Sequence, residues 1–371
     1  MLTVRFVYSN IIRRDQIMRR LFTAIMFGLL LAGMLFSASA IELGKASRTG
    51  PVAYMITVPW HQQLNALSCG AASLESVFDY WGPDIDQKEI MNTARTSSMG
   101  TWSADIARTG HFSYLSDAQG NYFPHAGPYG GFEERPLGYA AFSYASHEFW
   151  LGKLKNLVAD DIPVIVLMKY SPEGGGGHYR VAIGYDDIQQ QIYFIDPWGR
   201  DLNHLTDWTG ITSWSYSDFQ KGWNYSEYGT TEPFFGVAII PWTISLNIKG
   251  KTAPGAALTI TAQITYPCPE PFDNTQFPAR NALAQITLSQ GMTLKDSSAT
   301  VPLGTIYAGS TVEASWKVIC SSEATGKTVS IKSWGTVSGH VPQAQWQGQV
   351  VSYPAYEYTD AIGSEATINT P

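Results

Sequence analysis

Gln63-Leu64-Asn65-Ala66-Leu67-Ser68-Cys69-Gly70-Ala71-Ala72-Ser73 is the stretch on which the fold of this chain turns. A cysteine stands immediately ahead of Leu74, Val77, Phe78 and Trp81, apolar residues spaced along one face of a helix. A helix N-terminus offers unpaired N–H groups and the positive end of the backbone dipole, which favours a thiolate there. Gly70, Ala71 and Ala72 leave room for a second molecule to approach. The other cysteines, Cys268 and Cys320, fall in the last third of the chain, so Cys69 is the odd thiol. The competing reading is a small buried hydrophobe.

A thiol nucleophile needs a base, and the base needs an orienting partner. Of the seven histidines, His178 follows four glycines, 174–177, and opens the alternating pattern Tyr179, Val181, Ile183, Tyr185. His61 is the weaker rival, being close to Cys69 in sequence. Asp196 ends the next strand-like segment, 191–195. In a hairpin the start of one strand lies beside the end of the other, so Asp196 can meet His178. Asp186 and Asp187 sit at the far turn. Attack on a carbonyl produces an oxyanion that needs donors already in place. The Cys69 N–H and the Gln63 amide are expected to supply them. Gln62 is a rival for the second donor, and the six-residue offset to the cysteine favours Gln63. Trp198 either covers the Asp–His bond from water or belongs to the core.

Three motifs in order carry a resemblance. Val58-Pro59-Trp60-His61-Gln62-Gln63 with Cys69-Gly70-Ala71-Ala72-Ser73 resembles the first motif of the bacteriocin-processing, or double-glycine, peptidase family. The segments 177–185 and 195–199 resemble its second and third. The resemblance spans about residues 53–241. It implies a papain-like fold with Gln63, Cys69, His178 and Asp196 as working residues, and a peptide or protein as substrate. Leader-cleaving members act on the cytoplasmic side, fused to a transporter. A free-standing exported relative is expected here, with its substrate open.

The N-terminus sets the address. Arg19 and Arg20 precede an apolar run, 21–36, and Ala38-Ser39-Ala40 closes it with small residues. That is the layout of a secretory signal peptide over 1–40; an uncleaved anchor is the alternative, and Met18 is an alternative start. Residues 41–52 read as a linker. A secreted or cell-surface protein is therefore expected. The net charge of -7 argues against a general nucleic-acid binder, which would normally carry a basic face. No HExxH, paired CxxC or EF-hand spacing occurs, so neither metal nor cofactor is expected.

The 371 residues suffice for two domains. Helices are expected from Cys69, after Asp86, near Ala104 and from Ser146, and strands at 163–170, from His178, at 191–195 and at 234–240. The first domain, 53–241, is thus α+β. After Pro241, strand-like segments at 243–248, 257–264, 282–288, 311–319 and 329–334 alternate with Pro or Gly. They predict an all-β immunoglobulin-like sandwich over 242–352, a surface for cell-surface or glycan contact, then a loose polar tail over 353–371. Cys268 shares parity with Leu258, Ile260, Ala262 and Ile264, and Cys320 with Val312, Ala314, Trp316 and Val318. A Cys268–Cys320 disulfide is predicted, as an oxidising compartment permits. Three functional readings remain: a cysteine peptidase or amidase, an acyltransferase using the same residues, and a catalytically silent binding or adhesion protein.

Overall fold

The computed structural model describes residues 50–371 except 82–84, 95, 111–116, 119–138, 200–209, 228–231, 274, 276–277, 322–325, 340–343, 347–348, 352–355 and 369–371. The expected signal peptide, most of the linker and the apolar run 21–36 lie outside these residues. No helix among the described residues is long and apolar enough to cross a membrane.

Helix α1, Cys69–Trp81, is the centre of the first half. It starts where the sequence places it. The Asn65 side chain accepts from the Leu67 N–H (2.8 Å), the Ser68 hydroxyl accepts from the Asn65 N–H (3.1 Å), and the Ser68 carbonyl accepts the first helical bond from Ala72 (2.9 Å). Every residue from Cys69 to Phe78 is buried. Helices α2, Gln87–Thr93, and α3, Ser103–Gly110, pack beside it. The Asp86 carboxylate caps α2 by accepting from the Lys88 N–H.

The strands before Trp242 are β1 (Ala53–Met55), β2 (Asp117–Ala118), β3 (Tyr139–Tyr144), β4 (Val164–Ser171), β5 (Gly174–Asp186), β6 (Gln191–Ile195), β7 (Ile211–Ser215) and β8 (Gly236–Pro241). All but β2 form one antiparallel sheet, order β3-β8-β4-β5-β6-β7, with β1 added to β5. Helices α4, Leu151–Ala159, and α5, Tyr216–Trp223, complete this half. The helix expected from Ser146 begins later, at Leu151, because the Ser146 hydroxyl accepts from the Glu148 N–H in a turn. The segment 174–177 is the first part of β5, paired with 169–171 of β4. A Cβ at Gly177 would lie 2.8 Å from the Tyr225 ring, so a side chain there would have to displace that ring.

The second half holds β9 (Thr243–Gly250), β10 (Ala257–Thr265), β11 (Ala279–Leu288), β12 (Met292–Leu294), β13 (Thr300–Ile306), β14 (Thr311–Cys320), β15 (Lys327–Gly339), the small pair β16 (Ala344–Trp346) and β17 (Gln349–Val351), and β18 (Tyr356–Ile368). Two antiparallel sheets result, β12-β14-β10-β9 and β13-β11-β15-β18-β2. Alternate residues face inward, Leu258, Ile260, Ala262 and Ile264 of β10 and Ala314, Trp316 and Val318 of β14 among them, as a half-buried strand demands.

Two expectations fail here. Within the polar stretch 353–371, expected to be a loose tail, the described residues form a strand: β18 pairs with β15 over thirteen residues, from Lys327↔Ile368 to Gly339↔Tyr356. Its polar composition suits a strand held by ladder hydrogen bonds, which composition does not report. The Cys268–Cys320 disulfide does not form; all three cysteines are free thiols. Parity placed both on inward-facing series, yet β10 and β14 run antiparallel. Cys320 lies beside the Ala257↔Ile319 end of the ladder and Cys268 beyond the Thr265↔Thr311 end. Eight residue steps at 3.4 Å put those ends ~27 Å apart, against about 4.4–6.8 Å between bridged Cα atoms.

The halves adjoin through aromatic rings. Trp242 directly follows β8 and stacks on Tyr266 (centroids 3.9 Å, 21°). Phe142 of β3 meets Tyr266 at 6.1 Å and stacks on Phe272 at 5.7 Å. Residues from Thr49 onward form one compact unit.

Candidate active site

The β5–β6 hairpin brings His178 and Asp196 together. Val181 pairs with Ile195, so Asp196, one residue on, falls opposite Arg180, and His178 is one pleat further on the same face. His178 Nε2 and Asp196 Oδ1 are 2.8 Å apart, and both side chains are buried. With Nε2 so occupied, Nδ1 is the ring nitrogen left for Cys69, to which His178 is also hydrogen bonded. The Trp198 N–H donates to the same Asp196 oxygen at 2.9 Å. Trp198 contributes this backbone donor, while its side chain stays partly exposed. The Trp60 indole donates to the Asp196 carbonyl at 3.0 Å, tying the segment before Cys69 to the segment after β6.

Three charges in this group depart from their ordinary ranges. Burial alone pushes the Cys69 thiol up. The hydrogen bond and charge of His178, with the N–H groups of Tyr179 and Gly70, outweigh it and bring the thiol below its usual range. Burial disfavours the His178 imidazolium, and Arg180 opposes it too. The Asp196 charge and the bonds to Asp196 and Cys69 prevail, so His178 titrates above its ordinary value. Asp196 is pushed up by burial, but Arg180 and then His178 hold it well below the usual carboxylate range. All three directions favour a thiolate beside an imidazolium.

Gln63 rather than Gln62 turns inward: Gln63 is 7% exposed, whereas Gln62 is exposed. The Gln63 Nε2 donates one N–H to the Asn65 carbonyl at 2.6 Å, leaving its second, since a primary amide carries two. The Gln63 N–H donates to the Pro197 carbonyl at 2.9 Å, fastening this loop to the one after Asp196.

The rivals are engaged elsewhere. His61 sits between Glu75 (3.2 Å) and Asp79 (3.0 Å). Asp186 closes the β5–β6 turn by accepting from the N–H groups of Ile188 and Gln189. Asp187 pairs with Lys155 (2.6 Å) and Tyr216 (2.7 Å).

One member of the group escaped the sequence reading. Arg180 Nε donates to Asp196 Oδ2 at 2.7 Å. Its signal was its place two residues after His178, hence on the same strand face, as a lone cation in an apolar strand.

A thiol, an imidazole and a carboxylate converge at the N-terminus of a buried helix, which is the equipment of a cysteine-type peptidase. Residues 55–231 match the model of the Peptidase_C39 like family. These residues are similar to that family, and the chain is a cysteine-type peptidase. No curated protein matches the chain. Similar solved structures include a double glycine motif protease from an AMS/PCAT transporter in complex with its leader peptide (16% identity over 51% of this chain and 94% of that one, TM-score 0.30). Others are the peptidase domain of Streptococcus ComA, a bifunctional ABC transporter involved in quorum sensing (18%, 49% and 98%, 0.30), and xylellain, a cysteine protease from Xylella fastidiosa (14%, 56% and 91%, 0.38). At these TM-scores the likenesses add nothing to what the residues and the family model carry.

Proposed function

We propose that this protein is an exported cysteine peptidase that hydrolyses peptide bonds through Cys69, His178 and Asp196, with Gln63 as an oxyanion donor. One observation carries the reading: a buried thiol, which burial alone would keep protonated, is drawn toward thiolate by a histidine that a buried carboxylate holds in place. The Cys69 sulfur attacks the carbonyl carbon, and the π electrons move to oxygen. The Cys69 N–H and the second Gln63 N–H stabilise that oxyanion. As the C–N bond breaks, His178 gives its proton to the leaving amine. Water then attacks the thioester, His178 takes its proton, and Cys69 departs from the acid. Asp196 keeps the imidazole oriented throughout.

The C-terminal half is read as an immunoglobulin-like sandwich. The sheet β9-β10-β14-β12 against β11-β15-β18 supports it, resembling an ABED sheet over a CFG sheet. Export rests on the sequence layout of residues 1–40.

Mass spectrometry of a mixed peptide library tests the activity, with one set of peptides carrying a double glycine and glycine ethyl ester present as an amine acceptor. New free C-terminal carboxylates made by the wild type but not by Cys69→Ala support hydrolysis. Ethyl-ester adducts would replace it with acyl transfer. No product of either kind would overturn the enzymatic reading in favour of a binding protein.

A further inference from the structure

Asp196 has two carboxylate oxygens, and the mechanism above uses one. Oδ1 accepts from His178 Nε2 and the Trp198 N–H; Oδ2 accepts from Arg180 Nε at 2.7 Å. Arg180 is itself fixed. Its Nη1 donates to the Lys169 carbonyl at 3.2 Å and its Nη2 to the Tyr170 carbonyl at 3.0 Å. The guanidinium lies 4.9 Å over the Trp214 ring, and the residue is 2% exposed. The carboxylate therefore cannot turn about its Cβ–Cγ bond without breaking a charge-assisted hydrogen bond in buried surroundings, where such bonds are strong.

We infer that Arg180 is a positioning residue for the reaction, locking Asp196 with Oδ1 aimed at His178 Nε2 and keeping that carboxylate ionised. The inference rests on the thiol–imidazole reading above. A purely structural arginine would neutralise a buried carboxylate and do nothing to the thiol. The two roles differ in pH dependence. Facing the His178–Asp196 pair are the Cys69 thiol from α1, the Tyr170 ring from β4 (5.4 Å from His178) and Arg180 from β5. Arg180 is the largest influence opposing protonation of Asp196, where burial acts the other way. Without it, Asp196 takes up a proton at higher pH, the imidazolium loses its counter-charge, and the acid edge of thiolate formation at Cys69 moves upward.

The test is the iodoacetamide alkylation rate of Cys69 across pH 3–8, on Arg180→Lys, Arg180→Met, Asp196→Asn and the Arg180→Met/Asp196→Asn double variant, each checked for folding by circular dichroism. Arg180→Met is expected to raise the acid edge by about one pH unit, roughly tenfold slower labelling at a fixed pH on the edge. Arg180→Lys keeps the charge but cannot grip Oδ2 and two carbonyls at once, so it should fall between. If the methionine variant does not fold, the lysine variant decides alone. Adding Arg180→Met to Asp196→Asn should raise the edge no further, because the part that runs through Asp196 is already lost and the direct effect of Arg180 on the imidazolium has the opposite sign. Folded variants with the wild-type edge, or a shift that adds in full to Asp196→Asn, would overturn the inference. An ordinary-thiol profile in the wild type would instead overturn the underlying reading, and this inference with it.

Discussion

Cys69 at the start of α1 and Cys320 at the end of β14 are both buried, at 8% and 0% exposure. Burial pushes both thiols toward the protonated form, yet they end on opposite sides of the ordinary thiol. Cys320 is raised, with only a weak counter-influence from Lys327. Cys268, part-buried and near Asp273, is pushed up to about 11. Cys69 is lowered, because His178 and two backbone N–H groups meet its sulfur. The difference lies in the backbone around each. In the second half Cys320 ends a strand, its N–H and C=O spent on Ala256 and Gly255, and Cys268 lies in the segment after β10. The first half offers a helix N-terminus with donors to spare and a hairpin that delivers a histidine.

The largest way to break this contrast is to disconnect His178. Asp196→Ala should lower peptide turnover on the order of 10²–10⁴-fold, whereas Asp187→Ala should leave it within about twofold, since Asp187 serves Lys155 and Tyr216. Equal losses in kcat assays would mean the wrong carboxylate has been assigned. Gln63→Ala should come next, on the order of 10²-fold in kcat with little change in KM. A rise in KM alone would make Gln63 a binding residue only.

These effects are weighed against a fold that the sequence disclosed unevenly. The helix at Cys69 and the β5–β6 hairpin were legible because their signals are local: one apolar face after Cys69, and the alternation Tyr179, Val181, Ile183, Tyr185 followed by a strand-like segment that ends at Asp196. Arg180 was not. Its role depends on the Val181↔Ile195 register, and a residue count predicts a hairpin more readily than its register. The Cys268–Cys320 expectation failed for the same reason, since parity fixes a face but not an end of a strand. Strand β18 was missed because its pairing with β15 is non-local. Strand β7 and helix α5 went unread, although the Ser215 hydroxyl caps α5 through the Asp218 N–H and offers a recognisable start.

Two smaller tests sharpen the contrast between the halves. Tyr266→Ala removes the ring that joins Trp242 to Phe142; it should cost about 3–5 kcal/mol and lower the melting of both halves together. A loss confined to the C-terminal sheets would show that the halves unfold separately. Glu227 gives the smallest effect. Burial raises its carboxyl to about 7, against the hydrogen bonds from Ser103. Because its folded value lies above its unfolded one, its contribution is full below the ordinary carboxylate range and is lost as pH rises toward 7. Glu227→Gln should therefore flatten the fall of Tm between about pH 4.5 and pH 7; an unchanged slope would remove Glu227 as its source.

The central claim is that His178 makes Cys69 a thiolate despite its burial. Iodoacetamide labelling of Cys69 across pH 4–9, in the wild type and in His178→Ala, measures it directly. The account predicts rapid labelling well below the ordinary thiol range of about 8.5, lost in the variant, with Cys268 and Cys320 slow in both. Labelling of Cys69 that follows an ordinary thiol in the wild type, or that is unchanged in His178→Ala, would contradict it.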